Sequence, residues 1–206
     1  MKIKTYISGP IDANNYLIWD ENTKDAVLID CSDEREDIIK DVNDNGLNVK
    51  YILLTHGHFD HILGVNTMAK RLNAKVGIHI NDYVMMNSVK EMCQMFGISP
   101  CEAQKYDFTV KDGDKIQFGT YEIKVIETPG HTKGGVCYLV EDKLFCGDTV
   151  FKNSYGRTDL PGGSYDEISN SIKNIIFKLD DNITIYTGHG PFTTVGYEKK
   201  FNEINR

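Results

Sequence analysis

Residues 51–64 read YILLTHGHFDHILG. An apolar run ends at Thr55, and His56, His58, Asp60 and His61 follow within six positions. Half of the six histidines of this 206-residue chain fall in that one segment. Residues 50–54 (KYILL) form an apolar strand leading into the cluster. Beyond it, Ile62, Val65, Ala69 and Leu72 recur at offsets of three, four and three, the stripe of a packed helix. The histidines are therefore expected in a loop between a buried strand and a helix, where α/β proteins place ligands. Titratable groups at the end of an apolar strand are costly to bury without partners. Imidazole and carboxylate are donors that zinc, manganese and iron accept.

Upstream, residues 2–7, 15–19 and 26–30 read as short strands, and 33–45 as a charged helix that Gly46 stops. Downstream, KVGIHI (75–80) reads as a strand, followed by a methionine-rich segment, 81–96. Met85, Met86, Met92 and Met95 suit an ordinary core helix, with a flexible wall of an apolar pocket as the alternative. From Asp107 the pattern becomes period-two, with a hairpin turning at Glu141–Lys143. Residues 164–179 are expected as one helix with Ile168, Ile172, Ile175, Ile176 and Leu179 on one face. ITIYTGHG reads as a last strand, followed by a short helical tail. Two β-rich halves with helices outside predict an α/β fold, a four-layer αββα sandwich, as a single domain over residues 1–206.

Composition is that of an ordinary globular chain, 40% hydrophobic and 26% charged. A net charge of -7 argues against the broad basic surface that nucleic-acid binding needs. No apolar run approaches a membrane span, and the N-terminus holds no signal-peptide core, so no membrane partner and a cytoplasmic location are expected. The five cysteines (Cys31, Cys93, Cys101, Cys137, Cys146) form no CxxC pair and read as reduced, buried thiols.

Three later segments also end an apolar run with a metal-capable side chain beside glycine: His131 in TPGHTKGG, Asp148 in FCGDT and His189 in YTGHGP. His79, alone in VGIHIND, reads as structural. THGHFDH followed in order by TPGH, GDT and TGHG resembles the metallo-β-lactamase superfamily. GDTVFKNSYGRTDLPGGS is similar to its short, glyoxalase II-like bacterial branch (hydroxyacylglutathione-hydrolase-like proteins). That resemblance implies the αββα sandwich, with His56, His58 and His131 on one metal, Asp60, His61 and His189 on a second, and Asp148 bridging them. It implies two divalent cations, zinc first, with iron or manganese as alternatives. Two such cations against two aspartates and a bridging hydroxide leave roughly one net positive charge, suited to an oxyanion.

The activity so implied is hydrolysis of a small thioester or related acyl ester, with Asp60 and Asp148 as the catalytic carboxylates and no serine or cysteine nucleophile. The alternative is an iron-dependent persulfide dioxygenase-like oxidoreductase of the same fold, a branch that shares the GRTD-type stretch. Arg157 is a candidate to bind substrate, with a salt bridge to Asp159 as the plain reading. Lys133 reads as a solvated loop charge and Cys146 as a buried bystander. The 17 residues after His189 are too few for the glutathione-binding helical domain of full-length glyoxalase II enzymes. The 40 residues between Asp148 and His189 leave no room for the inserted domain of nucleic-acid-processing branches. Class B β-lactamases, typically exported, are expected to match poorly. The partner expected is a small-molecule acyl substrate.

Overall fold

The computed structural model describes residues 1–98 and 102–206. Cys101, counted above among the buried thiols, lies outside them. The first sheet runs β1 (Lys2–Ser8), β2 (Ala13–Trp19), β3 (Asp25–Ile29), β4 (Asn48–Leu53), β5 (Lys75–His79), β6 (Phe108–Val110), in that spatial order. Its first three strands pair antiparallel and the rest parallel. The chain then continues through β7 (Lys115–Phe118), β8 (Tyr121–Glu127), β9 (Val136–Val140) and β10 (Lys143–Gly147). A small hairpin, β11 (Val150–Phe151) and β12 (Ser154–Tyr155), precedes β13 (Thr184–Thr187) and β14 (Thr193–Thr194). The second sheet has the order β14-β13-β10-β9-β8-β7.

Side-chain alternation sorts these strands into layers. In β2, Tyr16 and Ile18 join the core between the sheets, while Leu17 packs under the helices. In β3, Val27 and Ile29 point inward and Ala26 and Leu28 outward. In β9, Val136, Tyr138 and Val140 face the first sheet, and Cys137 faces the outer helices of the second. Strands buried on both faces need apolar residues at nearly every position, as NYLIW and AVLI supply. Each fully buried Leu or Ile contributes about 1.5–3 kcal/mol, so two covered sheets supply most of the driving force. The αββα sandwich read from the sequence is the fold observed.

The first outer layer holds α1 (Glu36–Asn45), α2 (Phe59–Ile62), α3 (Val65–Leu72), α4 (Tyr83–Asn87) and α5 (Val89–Met95). The second holds α6 (Tyr165–Asn170) and α7 (Val195–Phe201). Gly46 ends α1 in the left-handed region at φ 62°, as expected. Among the described residues, no helix is long and apolar enough to cross a membrane.

Three helix expectations are corrected. The helix expected from Ile62 to Leu72 is broken after Ile62, and Asp60 and His61 sit on the preceding turn, α2, rather than in a loop. The break is steric: a Cβ on Gly64 would fall 2.2 Å from the Asp33 carbonyl oxygen, and the Gly64 N–H donates to the Cys31 carbonyl at 2.9 Å. The helix expected over 164–179 is regular only in α6, then widens into a π turn (Ser171–Ile175) and tightens into a 3-10 turn (Ile176–Lys178). Residues spaced by four drift about 40° per step around a regular helix. The widened turn keeps Ile168, Ile172 and Ile176 together in the core under the second sheet. The methionine-rich segment forms two short helices, with only Met86 of its four methionines in the core.

Gly64→Ala is expected to cost about 1–3 kcal/mol through overpacking against Asp33. Urea unfolding would show a lower midpoint at unchanged slope, and an unchanged midpoint would show that residues 31–33 can yield.

Candidate metal centre

Strands β8, β10 and β13 run in one direction, because β8 and β10 both pair antiparallel with β9 and β13 pairs parallel with β10. Their ends deliver His131, Asp148 and His189 to one edge of the sandwich. The segment after β4 brings His56, His58, Asp60 and His61 to the same place. The two sheets are tied there by Asn14, whose amide donates to the Thr187 and Gly190 carbonyls at 3.0 and 2.9 Å.

All seven residues singled out from the sequence converge. His56, His58 and His131 bring ligand atoms within 4.8 Å of one another, as do Asp60, His61 and His189, and also His56, His61 and Asp148. Nδ1 of His58 lies 2.8 Å from Nε2 of His131. Nε2 of His189 lies 3.1 Å from Asp60 Oδ2 and 3.3 Å from His61 Nε2. Asp148 reaches both halves, with Oδ2 at 3.5 Å from His131 Nε2 and 3.6 Å from His189 Nε2, and Oδ1 at 3.4 Å from His61 Nε2. A Cβ on Gly188 would fall 2.0 Å from Asp148 Oδ1, so only glycine admits the carboxylate there. His56 Nε2 and Asp148 Oδ1 are buried without an aligned hydrogen-bond partner. Buried donors and acceptors rarely stay unpaired, and orphans aimed at one point fit a cation.

Neighbouring groups set which nitrogen faces inward. The Arg157 carbonyl can only accept, so His131 donates from Nδ1 (2.8 Å) and turns its Nε2 lone pair to the cluster. His61 Nδ1 donates to Asp30 Oδ2 at 2.8 Å, which likewise frees Nε2. The Thr55 hydroxyl donates to the same carboxylate oxygen at 2.8 Å and accepts from His56 Nδ1 at 3.1 Å. Asp82, fully buried, accepts from the Gly57 N–H (2.9 Å), the Thr132 hydroxyl (2.7 Å) and the Gly134 N–H (2.6 Å), tying the His56–His58 loop to the His131 loop. Asp30, Asp82, Thr55 and Asn14 were not singled out from the sequence. Asp30 ends a strand as the ligands do, which was the available signal.

The two halves differ electrostatically. Burial, and then the neighbouring imidazoles, hold His56 well below its ordinary range and His58 at about 4, so both are neutral with free lone pairs. Burial also opposes charge on His61 and His189, but carboxylates outweigh it: Asp60, Asp30 and Asp148 for His61, and Asp60 and Asp148 for His189. Both are raised. Burial works against ionising Asp60 and Asp148, yet the surrounding imidazoles, His61 foremost, hold both carboxyls below the usual range.

Residues 8–189 match the family model described as the metallo-beta-lactamase superfamily. The chain belongs to that superfamily. It is similar to hydroxyacylglutathione hydrolase GloC of Haemophilus influenzae, 34% identical over 193 residues, covering 92% of this chain and 91% of that protein. Among solved structures it is similar to the BLEG-1 B3 metallo-beta-lactamase (TM-score 0.90, 32% identity, 98% of each chain). It is also similar to TTHA1623 in a di-iron-bound form (0.87, 30%, 97% and 98%) and to ETHE1 from Myxococcus xanthus (0.78, 27%, 98% and 84%). The B3 enzyme corrects the expectation that class B lactamases match poorly. That expectation rested on export, which says nothing about the sandwich itself.

Arg157 makes two 2.7 Å bonds to Asp159 at an exposed position, and its backbone holds His131. Its side chain also lines the cleft over the centre, together with Lys133. The Lys133 ammonium has no hydrogen-bond or ion-pair partner among the described residues. His79 is buried against Glu127 at 3.0 Å, the structural role expected of it. Cys146 is buried in the core under the second sheet, its thiol raised by burial, and is no nucleophile.

Two outcomes follow from this geometry. Asp30→Asn is expected to lower metal affinity by about 10- to 100-fold, since His61 loses its anionic anchor. A competition titration with a chromophoric chelator reads this, and unchanged affinity would remove Asp30 from the site. Loading the metal-free protein at neutral pH is expected to displace at least about one proton, from the raised His61 and His189. Calorimetry in buffers of different ionisation enthalpy measures it, and a heat independent of buffer would contradict the assignment.

Proposed function

We propose that this chain is a binuclear metal-dependent hydrolase of a small thioester or related acyl ester. His56, His58 and His131 would hold one divalent cation, and Asp60, His61 and His189 the other, with Asp148 shared. The observation that carries the reading is Asp148, whose two oxygens approach histidines of both halves. Support comes from the similarity to GloC and to a protein solved in a di-iron-bound form. The His/Asp donor set suits zinc first, with iron or manganese as alternatives.

Bound cations would supply Lewis acidity, making water a nucleophile near neutral pH and steadying charge on a carbonyl oxygen. The protein's own groups do the rest. His58, Asp60, His131 and Asp148 line the cleft, so an entering carbonyl meets the donor cluster directly. Asp60 stays ionised and accepts a hydrogen bond from the attacking water, which aims its oxygen at the acyl carbon. Asp148 holds the two halves at a fixed separation. Asp30, Thr55 and the Arg157 carbonyl keep three imidazoles from rotating. Arg157 would anchor a substrate carboxylate by exchanging it for Asp159.

A second reading, an iron-dependent persulfide dioxygenase, has one specific observation behind it. His56, His61 and Asp148 form a two-histidine, one-carboxylate set, and the chain is similar to ETHE1. Iron-dependent oxygen uptake with glutathione persulfide would favour it.

Asp148→Asn is expected to reduce thioester turnover at least about 100-fold and to lower bound metal from two equivalents toward one. Kinetics and elemental analysis on the same samples test this. If the fully metallated wild type hydrolyses neither S-lactoylglutathione nor any other thioester or lactone in a panel that also includes a β-lactam, the reading fails.

A further inference from the structure

The cleft over the centre has a chemistry of its own. It encloses about 400 Å³, within the small-molecule range, and its floor is the donor cluster. Its walls include Phe59, Met85, Met92, Met95, Phe96 and Leu160. Met95 is 72% and Phe96 45% exposed, so these side chains face open water in the free protein. Phe59 sits on the turn that carries Asp60 and His61 and packs against Phe96 in a tilted pair with ring centroids 5.0 Å apart. The apolar wall is thus continuous with the ligand-bearing turn.

From this the geometry points to an apolar acyl chain, several methylenes long, as the substrate half that enters the cleft. The inference rests on the hydrolase reading and names its substrate class. Three unbranched thioethers mould to a flexible alkyl chain better than branched residues do. Asn81, Ser88 and Glu91 also line the cleft, but against the methionine and phenylalanine side chains themselves a hydroxylated or charged acyl group would lose its water and gain no partner. The other half of the substrate is assigned by difference. Biological thiol carriers bear charges and amides, which suit open solvent and the unpartnered Lys133 at the cleft. The reaction balances with water alone: the water oxygen bonds to the acyl carbon, the C–S bond breaks, and a carboxylate, a thiol and one proton result.

The test uses zinc-loaded full-length protein and N-acetylcysteamine thioesters of acetyl, butyryl, hexanoyl and octanoyl groups, with S-lactoylglutathione as comparator. We expect kcat/KM to rise about three- to fourfold per added methylene until the cleft is full. Met92→Gln and Met95→Gln should each flatten that slope, and the exposure of Met95 makes its variant safe for folding. Binding gives a readout apart from turnover: calorimetry with acetate, butyrate, hexanoate and octanoate should show affinity rising in the same order. A slope that is flat in either series overturns the proposal, as does faster turnover of S-lactoylglutathione than of the octanoyl thioester, and in both cases the hydrolase reading stands. No turnover of any member, with metal content verified, overturns both.

Discussion

Lone pairs cannot be gathered in a buried place without something positive among them. His56, His58, Asp60, His61, His131, Asp148 and His189 point nitrogen and oxygen atoms at one another across about 3–4 Å, mostly away from water. Among the described residues no lysine or arginine pairs with these atoms, which leaves protons on the imidazoles as the nearest source of positive charge. Carboxylates raise His61 and His189 toward the protonated form more than they raise the other imidazoles of the cluster. A divalent cation would be the stronger solution, because one ion accepts several lone pairs at once. The orphaned Nε2 of His56 shows where protons fail: burial keeps that ring neutral, and its inward nitrogen has nothing to bond.

That constraint explains features well outside the cluster. A ligand must resist the repulsion of its neighbours, so each is held from behind. Asp30 serves Thr55 through two bonds and His61 through a third, and Thr55 in turn orients His56. Asp82 spends three hydrogen bonds on loops that carry His56, His58 and His131. Both are fully buried acids, affordable only because every bond they accept is intramolecular and short. The sandwich supplies the rest. Its strands are apolar on both faces, so polar side chains are tolerated chiefly where strands end, and parallel relations put those ends at one edge.

The candidate ligands were visible in the sequence because they are chemically conspicuous: imidazoles and acids that interrupt apolar runs stand out against any background. The layers were legible through the unbroken apolar runs of NYLIW and AVLI, which mark strands covered on both faces. What escaped was decided by contact between distant segments. Nothing local in DHILGVN says that Asp33 will occupy the space beside Gly64, so the helical stripe ran on past its true break. The π turn at Ser171–Ile175 serves a fit to the sheet, and its spacing of four also suits a regular helix. Asp30 looked like the end of one more strand, because its two partners, Thr55 and His61, lie 25 and 31 residues away.

The methionines mark the border between these two kinds of information. Spacing alone allowed a core helix or a pocket wall, and the fold splits the set: Met86 goes to the core, Met85, Met92 and Met95 to the cleft. Within α4 the adjacent Met85 and Met86 take opposite sides of the helix, cleft and core, and α5 adds Met92 and Met95 to the cleft. Metal geometry and cleft chemistry are thereby built from different parts of the chain. The candidate ligands sit on strand ends, on the segment after β4 and on the turn α2, braced by buried acids, and the wall on short helices with partly exposed side chains. The two parts still meet, because Phe59 on the ligand-bearing turn packs against Phe96, and because Asp82, which braces the loops of His56, His58 and His131, immediately precedes α4. The Asp30 network, by contrast, which braces two of the centre's imidazoles, makes no hydrogen bond through those helices.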